Sequence, residues 1–268
     1  MTTDKTTVES ATPNRDPYFR VEMIRATPNP QQVIYAAMHQ DYSDEFVADG
    51  CVDWPNESKS GEIVVKRLLS GNRGHYGPLE NPQITFNCGW FPHSTMQQIR
   101  THRVGISFDV QSFRYTGKRI YELGVRWRNV TCSDDIKRAK ALANTVFYVR
   151  PAGTYTDRQG KKYDYTEDQR NGHVIACLAA ALRYADDIDA GLSEEHARGL
   201  IPFDVRQHWV MSVNVRSLMH LLDLRWKADA QLEAQQLCDL IYPHFERWVP
   251  AIADWYLEHR AHKARLAP

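Results

Sequence analysis

The sequence RTHRVGISFDVQSFRY, residues 100–115, concentrates basic, hydroxyl, amide and aromatic side chains with few apolar residues between them. Its basic side chains are Arg100, His102, Arg103 and Arg114. Arginine meets phosphate oxygens with a planar fork of N–H donors, so this composition predicts a site for a ligand that carries several negative charges. The alternative is a solvated helix end, at which arginines interact with the terminal carbonyl groups.

The segment immediately upstream, residues 92–103 (PHSTMQQIRTHR), is predicted to be a short helix. Met96, Ile99 and Arg103 lie along one side of it at helical spacing. Its C-terminal end would therefore deliver His102 and Arg103 into the turn that follows.

The two ends of the quoted stretch, His102-Arg103 and Ser112-x-Arg114-Tyr115, resemble the signature of the flavin-dependent thymidylate synthases, the ThyX family. That signature is written RHR, seven residues, then Ser. Here Thr101 replaces the first arginine, Arg100 stands one place earlier, and eight residues separate Arg103 from Ser112. We place the extra residue within 104–106.

A second resemblance lies in residues 72–81 (NRGHYGPLEN), which are similar to the histidine-containing turn that precedes a strand in this family. The resemblance implies that His75 and Glu80 face a flavin. From the residues alone, the same segment is a surface turn in which both side chains are solvated.

A third resemblance lies in Asn214-x-Arg216-Ser-Leu, which continues to Arg225 and then to an AQxE sequence, as in the family. Leu218, Leu221, Leu222 and Arg225 recur at helical spacing, so Arg225 is predicted to lie at the edge of a core-facing stripe. An arginine in that position needs an anion or a carbonyl group as partner. The alternative is a structural arginine that is paired within the protein.

The resemblance implies specific roles for these residues. Arg225 and Ser112 are the candidate catalytic residues. Arg225 would stabilise negative charge on the uracil ring, and Ser112 is favoured as a binding group, because no His/Asp pair lies near it in sequence to activate it. The implied dUMP-binding residues are Gln98, Ser112, Arg114, Arg198 and Arg225. The implied FAD-binding residues are His75, Glu80, Arg100, His102, Arg103, Asp109, Asn214, Arg216 and His220.

The resemblance also implies a fold, a reaction and an assembly. The fold would be α+β, with a curved, mostly antiparallel sheet flanked by helices and a helical C-terminal half. One domain would span residues 17–268, and the polar composition of residues 1–16 predicts a disordered tail before it. The enzyme would convert dUMP to dTMP with 5,10-methylenetetrahydrofolate and NADPH as co-substrates and FAD as cofactor. It would form a homotetramer whose active sites are shared between subunits.

Composition argues against several other classes of protein. The 268 residues are 43% hydrophobic, which is enough for a substantial core, and 33 basic residues balance 33 acidic ones, which argues against a general nucleic-acid binder. Five scattered cysteines without a CxxC pair predict a reducing compartment, and no metal-site spacing occurs. Without a signal sequence or a long apolar run, we expect a cytoplasmic protein that binds no membrane.

Local patterns predict the main elements of secondary structure. They are helix 30–39 with proline in its first turn, strand 83–90, strand 125–130, a hairpin within 148–169 with Gly160 at its tip, a helix to residue 189 that begins at the Thr166–Gln169 capping box, and a helical segment over 230–265.

Two other functions remain open at this point. One is a single-stranded nucleic-acid-binding protein that uses residues 100–119 and the tyrosine-rich hairpin. The other is a flavoprotein of the same fold that acts on a different nucleotide.

Overall fold

The computed structural model describes residues 15–71, 74–157 and 159–263. These residues form two compact units. Unit 1 comprises Met1–Thr85 with Val213–Pro268, and unit 2 comprises Phe86–Ser212. Of the tail predicted to be disordered, residues 1–14 lie outside the described part, and a single domain over 17–268 stays a prediction.

Unit 1 is mostly helical. Its main elements are β1 (Arg20–Ala26), α1 (Pro30–Gln40), α2 (Glu57–Val64), α8 (Val215–Arg225), α9 (Leu232–Trp248) and α10 (Pro250–His259), and β1 neighbours β2 (Gln83–Pro92) in the sheet order. Helix α1 begins with Pro30, as predicted. The helical segment predicted over 230–265 is divided into two, because Pro250 disfavours the helical conformation at Val249, whose φ is −132° and ψ 66°, and Pro250 then begins α10.

Unit 2 contains most of the sheet. Strand β2 lies beside β6 (Arg206–Asn214), and β6 lies beside β3 (Ile106–Val110). The helices are α3 (His93–Ile99), α4 (Lys118–Arg128), α5 (Ser133–Val146), α6 (Glu167–Asp189) and α7 (Glu194–Ala197). The predicted strand 83–90 is confirmed within β2, whereas no pattern in the sequence predicted β6. The α+β class is confirmed.

The predicted strand 125–130 is wrong, because most of it belongs to helix α4. Ile120 and Leu123 are fully buried in one apolar cluster with residues of α6. Gly124 approaches the Ala181 carbonyl of α6 so closely that a Cβ atom would not fit. The alternation of VRWRNV is therefore overridden by a helical face that packs on a neighbouring helix.

The excursion before α6 is a hairpin, as predicted. Strand β4 (Gly153–Thr156) pairs antiparallel with β5 (Lys162–Tyr165), and Gly160 at the turn has a φ of 82°. The predicted capping box is also confirmed: the Gln169 backbone N–H donates to Thr166 Oγ1 at 3.2 Å, and the Thr166 N–H donates to Gln169 Oε1 at 2.8 Å. Across the described residues, no helix is both long and apolar enough to span a bilayer.

Candidate functional site

The residues predicted to bind ligands are divided between the two units. Unit 1 holds His75, Glu80, Asn214, Arg216, His220 and Arg225. Unit 2 holds Gln98, Arg100, His102, Arg103, Asp109, Ser112, Arg114 and Arg198. Each set has its own geometry.

In unit 1 the fold brings together two of the predicted FAD residues that lie far apart in sequence. Arg216 Nη1 donates to Glu80 Oε1 at 2.5 Å, although 136 residues separate them. The Arg216 and Glu80 side chains are 39% and 43% exposed. Since a guanidinium has five N–H donors, Arg216 keeps donors for an anionic ligand beside this ion pair.

Asn214 has a structural role in the described fold. It is buried and forms the N-cap of α8, where its Oδ1 accepts a hydrogen bond from the Ser217 backbone N–H at 2.8 Å. This bond satisfies one of the free N–H groups at the start of the helix and sets that start at Val215, one residue before Arg216. Whether Asn214 also contacts FAD stays a prediction.

The apolar stripe predicted for α8 is confirmed. Leu218, Leu221 and Leu222 are fully buried, and Arg225 lies half-buried in the last turn at the edge of this stripe. Burial lowers the pKa of the Arg225 guanidinium below its ordinary value. A cation in so poorly solvated a position interacts more strongly with a polar ligand than it would at an open surface. His220 is also half-buried on α8.

A cavity of about 750 Å³ opens beside His75 in unit 1. It is lined by the aromatic or basic side chains Tyr35, His39, Tyr42, Arg67 and His75, and by the apolar side chains Met38, Ile63 and Leu68. The rings of Tyr35 and His39 are stacked with centroids 5.6 Å apart. His75 Nε2 lies 2.7 Å from Asp41 Oδ2, which fixes the imidazole at the cavity rim. Planar and anionic groups both fit this lining.

In unit 2, α3 ends at Ile99 and the chain turns at Arg100, so the predicted helix 92–103 is shorter than expected. Arg100 and Arg103 are exposed, and neither forms an ion pair with any carboxylate in the described part of the chain. His102 is 7% exposed and therefore lies inside the turn. The two arginines can reach a phosphate group without breaking an ion pair.

Ser112 follows β3 in a turn whose backbone is well anchored. Its carbonyl accepts hydrogen bonds from the Tyr115 N–H at 3.0 Å and from Thr116 Oγ1 at 2.9 Å. Its hydroxyl forms no hydrogen bond with any described residue and so has no base to activate it. This geometry supports a binding role for Ser112.

The other residues of unit 2 that were predicted to bind ligands are exposed or half-buried. Arg114 is exposed, with its Cζ 5.6 Å from the centroid of the Tyr115 ring. Arg198 Nη2 lies 3.6 Å from Glu195 Oε1, a distance that makes a weak surface pair. Gln98 is half-buried on α3 and Asp109 is exposed on β3.

The comparisons with known proteins identify the family. The family described as thymidylate synthase complementing protein matches residues 22–251. The chain belongs to this family. The flavin-dependent thymidylate synthase of Halobacterium salinarum is 30% identical over 265 residues, which cover 93% of this chain and 100% of that relative. The enzyme of the same name from Haloarcula marismortui is 29% identical over 263 residues, which cover 92% of this chain and 99% of that relative. The resemblance inferred from the three motifs is thereby confirmed.

Solved structures show that this member of the thymidylate synthase complementing family has the family's fold. The UMP/dUMP methylase PolB from Streptomyces cacaoi, bound with 5-Br dUMP, aligns with a TM-score of 0.66 and 20% identity, covering 93% of this chain and 97% of that one. ThyX from Helicobacter pylori, with FAD and dUMP, aligns with a TM-score of 0.57 and 21% identity, covering 84% and 92%.

Next to Ser112, this family member has a polar layer that the sequence did not reveal. Arg119 donates to Gln111 Oε1 at 3.4 Å and to the Arg206 carbonyl, and its Cζ lies 5.5 Å from the Trp90 ring and 5.8 Å from the Phe113 ring. Burial and the neighbouring Arg206 charge lower the pKa of Arg119 to about 10, so it stays charged at neutral pH. No sequence signal marks this polar layer. Its β6 residues, Arg206 and Gln207, are buried although side chains of these types usually lie at the surface.

Proposed function

We propose that the protein is a flavin-dependent thymidylate synthase that converts dUMP to dTMP. The observation that carries this proposal is the family match over residues 22–251, together with a curated relative of that name covered over its full length. The open hydroxyl of Ser112, the arginines without ion-pair partners at the end of α3 and the half-buried Arg225 are the kinds of group that a uracil nucleotide and a flavin dinucleotide require.

For the nucleotide, Ser112 and Arg114 would bind dUMP with Gln98 and Arg198, and Arg225 would bind the uracil edge. Guanidinium donors held at the ring oxygens stabilise the negative charge that develops when the ring is activated. Ser112 would donate or accept one hydrogen bond and take no covalent part, because no base contacts its hydroxyl in the described chain.

The donor set also fits FAD. By the motif resemblance, Arg100, Arg103 and Arg216 would bind FAD, and within unit 1 His75 lines a cavity with aromatic walls. The other FAD residues would be Glu80, His102, Asp109, Asn214 and His220. When bound, the flavin supplies the hydride chemistry, and the protein binds, orients and polarises.

The co-substrates and the assembly form the finer part of the proposal. We propose 5,10-methylenetetrahydrofolate as the one-carbon donor, NADPH as the reductant, and a cytoplasmic homotetramer in which neighbouring subunits complete each active site. These follow from the motif resemblance given above.

Purified protein should show visible flavin absorption, natively or after FAD is added, and dUMP should shift the flavin bands. The assay is a spectral titration followed by measurement of dTMP formation with both co-substrates. A protein that fails to bind FAD even after addition would refute the proposal, and oligonucleotide affinity that falls steeply with salt would then favour the nucleic-acid-binding alternative.

A second substrate deserves the same assay. Of the two solved structures named above, the one with the higher TM-score is a UMP/dUMP methylase. Titration with UMP alongside dUMP therefore decides between a thymidylate synthase and a related flavoprotein that methylates the ribonucleotide.

Ser112→Ala should raise the Kd for dUMP roughly 3- to 10-fold, the value of one uncompensated hydrogen bond, and leave the Kd for FAD unchanged. Spectral titration of each ligand measures both constants. The control is Thr166→Ala, which removes the capping hydroxyl of α6, where Thr166 Oγ1 accepts from the Gln169 N–H at 3.2 Å and no predicted ligand-binding residue lies on the helix. An equal rise in the Kd for dUMP in both variants would contradict the binding role of Ser112.

A further inference from the structure

Gln111, the residue before Ser112, is held by three hydrogen bonds within unit 2. Its N–H donates to the His208 carbonyl at 3.0 Å, and its carbonyl accepts from Gln207 Nε2 at 2.9 Å. Its side-chain Oε1 accepts from Arg119 at 3.4 Å. Both backbone groups of the residue that leads into the Ser112 turn are therefore fixed by β6.

The donor of the middle bond, Gln207, is itself oriented by a second contact. Its side chain is 3% exposed, and its Oε1 lies 2.5 Å from His93 Nδ1. His93 Nε2 in turn lies 2.8 Å from Gln97 Nε2. The chain of contacts thus runs from α3, which carries Gln98, through β6 to the turn that carries Ser112 and Arg114.

The Gln111 carbonyl sets the direction of every hydrogen bond in this series of contacts. A backbone carbonyl can only accept, so the amide nitrogen of Gln207 must face Gln111 and its oxygen must face His93. His93 Nδ1 then carries the proton, and the free lone pair of Nε2 accepts from the Gln97 amide. A network with a single arrangement holds its backbone partner more firmly than isolated bonds would.

We propose that Gln207 is a positioning residue for nucleotide binding: with its amide oriented by His93, it fixes the Gln111 backbone and thereby the placement of Ser112 and Arg114. The inference rests on the proposed function, since it assumes that these two residues bind dUMP. In this role Gln207 does not contact the nucleotide and acts only through the turn that carries Ser112 and Arg114.

Gln207→Glu, measured at about pH 8.5 to ionise the carboxyl group, is the sharpest variant, because the carboxylate keeps the side-chain shape and the acceptor facing His93 but replaces the donor with a second acceptor facing the Gln111 carbonyl. Two acceptors repel each other, so the turn should shift. We expect the Kd for dUMP to rise about tenfold while the Kd for FAD stays within about twofold, both measured on the flavin bands of the full chain.

Gln31→Glu is the matched control. Gln31 is fully buried in unit 1, and like Gln207 it donates its amide to a backbone carbonyl, that of Glu57 at 3.2 Å, while its Oε1 accepts from the Ala251 N–H at 3.0 Å. The same substitution should therefore lower stability by a comparable amount without changing the Kd for dUMP. Both variants are titrated well below their unfolding temperatures.

Three results would overturn the inference: an unchanged Kd for dUMP in Gln207→Glu, an equal rise in Gln31→Glu, or an equal loss of FAD and dUMP binding in Gln207→Glu. If Gln207→Glu does not fold, His93→Leu serves instead, because it removes the donor that orients the Gln207 amide; a rise of about threefold in the Kd for dUMP alone is expected, and no rise overturns the inference. Failure of the proposed function is separate, because it would already appear as absent FAD or dUMP binding in the unsubstituted protein.

Discussion

Arg225→Ala is expected to abolish dTMP formation, lowering kcat by about 10²- to 10³-fold or more, while the protein stays folded. Arg225 ends α8 at the edge of the buried leucine stripe, and burial already lowers its pKa. Its charge is therefore poorly screened and would act strongly on the uracil ring as negative charge develops there. Alanine keeps the helical backbone and removes the donors.

The measurement is kcat and KM for dUMP with FAD in excess, together with the thermal unfolding midpoint. Arg225→Lys should recover part of the activity, because it restores the charge without the planar fork. Arg247→Ala is the matched control: Arg247 also occupies the last turn of a helix, α9, but it is exposed, and its Nη2 donates to His244 Nδ1 at 2.9 Å. Full activity in Arg225→Ala would contradict a role in binding the uracil ring. Loss of the fold together with activity would show that Arg225 is a structural arginine.

Arg260→Ala is expected to lower the free energy of unfolding by about 3–5 kcal/mol. Arg260 forms a bidentate pair with Asp223, with Nη2 2.6 Å from Oδ2 and Nε 3.2 Å from Oδ1, and the Asp223 side chain is only 1% exposed. Removing the cation leaves a buried carboxylate without its counter-charge. The exposed pair Arg20–Glu22 supplies the control, since Arg20→Ala should cost less than about 1 kcal/mol.

The effect of Arg260→Ala should depend on pH in a defined direction. Burial raises the pKa of Asp223 in the folded protein, and Arg260 opposes that rise, so the variant should raise it further. A carboxyl group whose pKa is higher in the folded state than in the unfolded state destabilises the fold at high pH and progressively less as pH falls. Urea unfolding should therefore show a smaller loss of stability at about pH 5 than at about pH 7.5. A loss below about 1 kcal/mol at both values would contradict the argument.

Short-range patterns in the sequence determined the elements whose stabilising contacts lie within a few residues. The Thr166–Gln169 capping box, the glycine at the hairpin tip and the leucine stripe of α8 were predicted correctly, because each depends on hydrogen bonds or spacing inside one turn or one helix. Motif resemblance determined the family in the same way, since its residues lie in short runs. It also named candidate site residues, whose roles stay predictions.

Only the tertiary structure decided which distant residues meet. The ion pair of Glu80 with Arg216 joins residues 136 positions apart, and the bond from Gln207 to Gln111 spans 96 positions. Helix α4, mistaken for a strand at 125–130, is helical because Gly124 lets it pack closely on α6. Such contacts depend on how the chain returns on itself, and the polar residues of β6 carry no local pattern because their partners come from elsewhere in the chain.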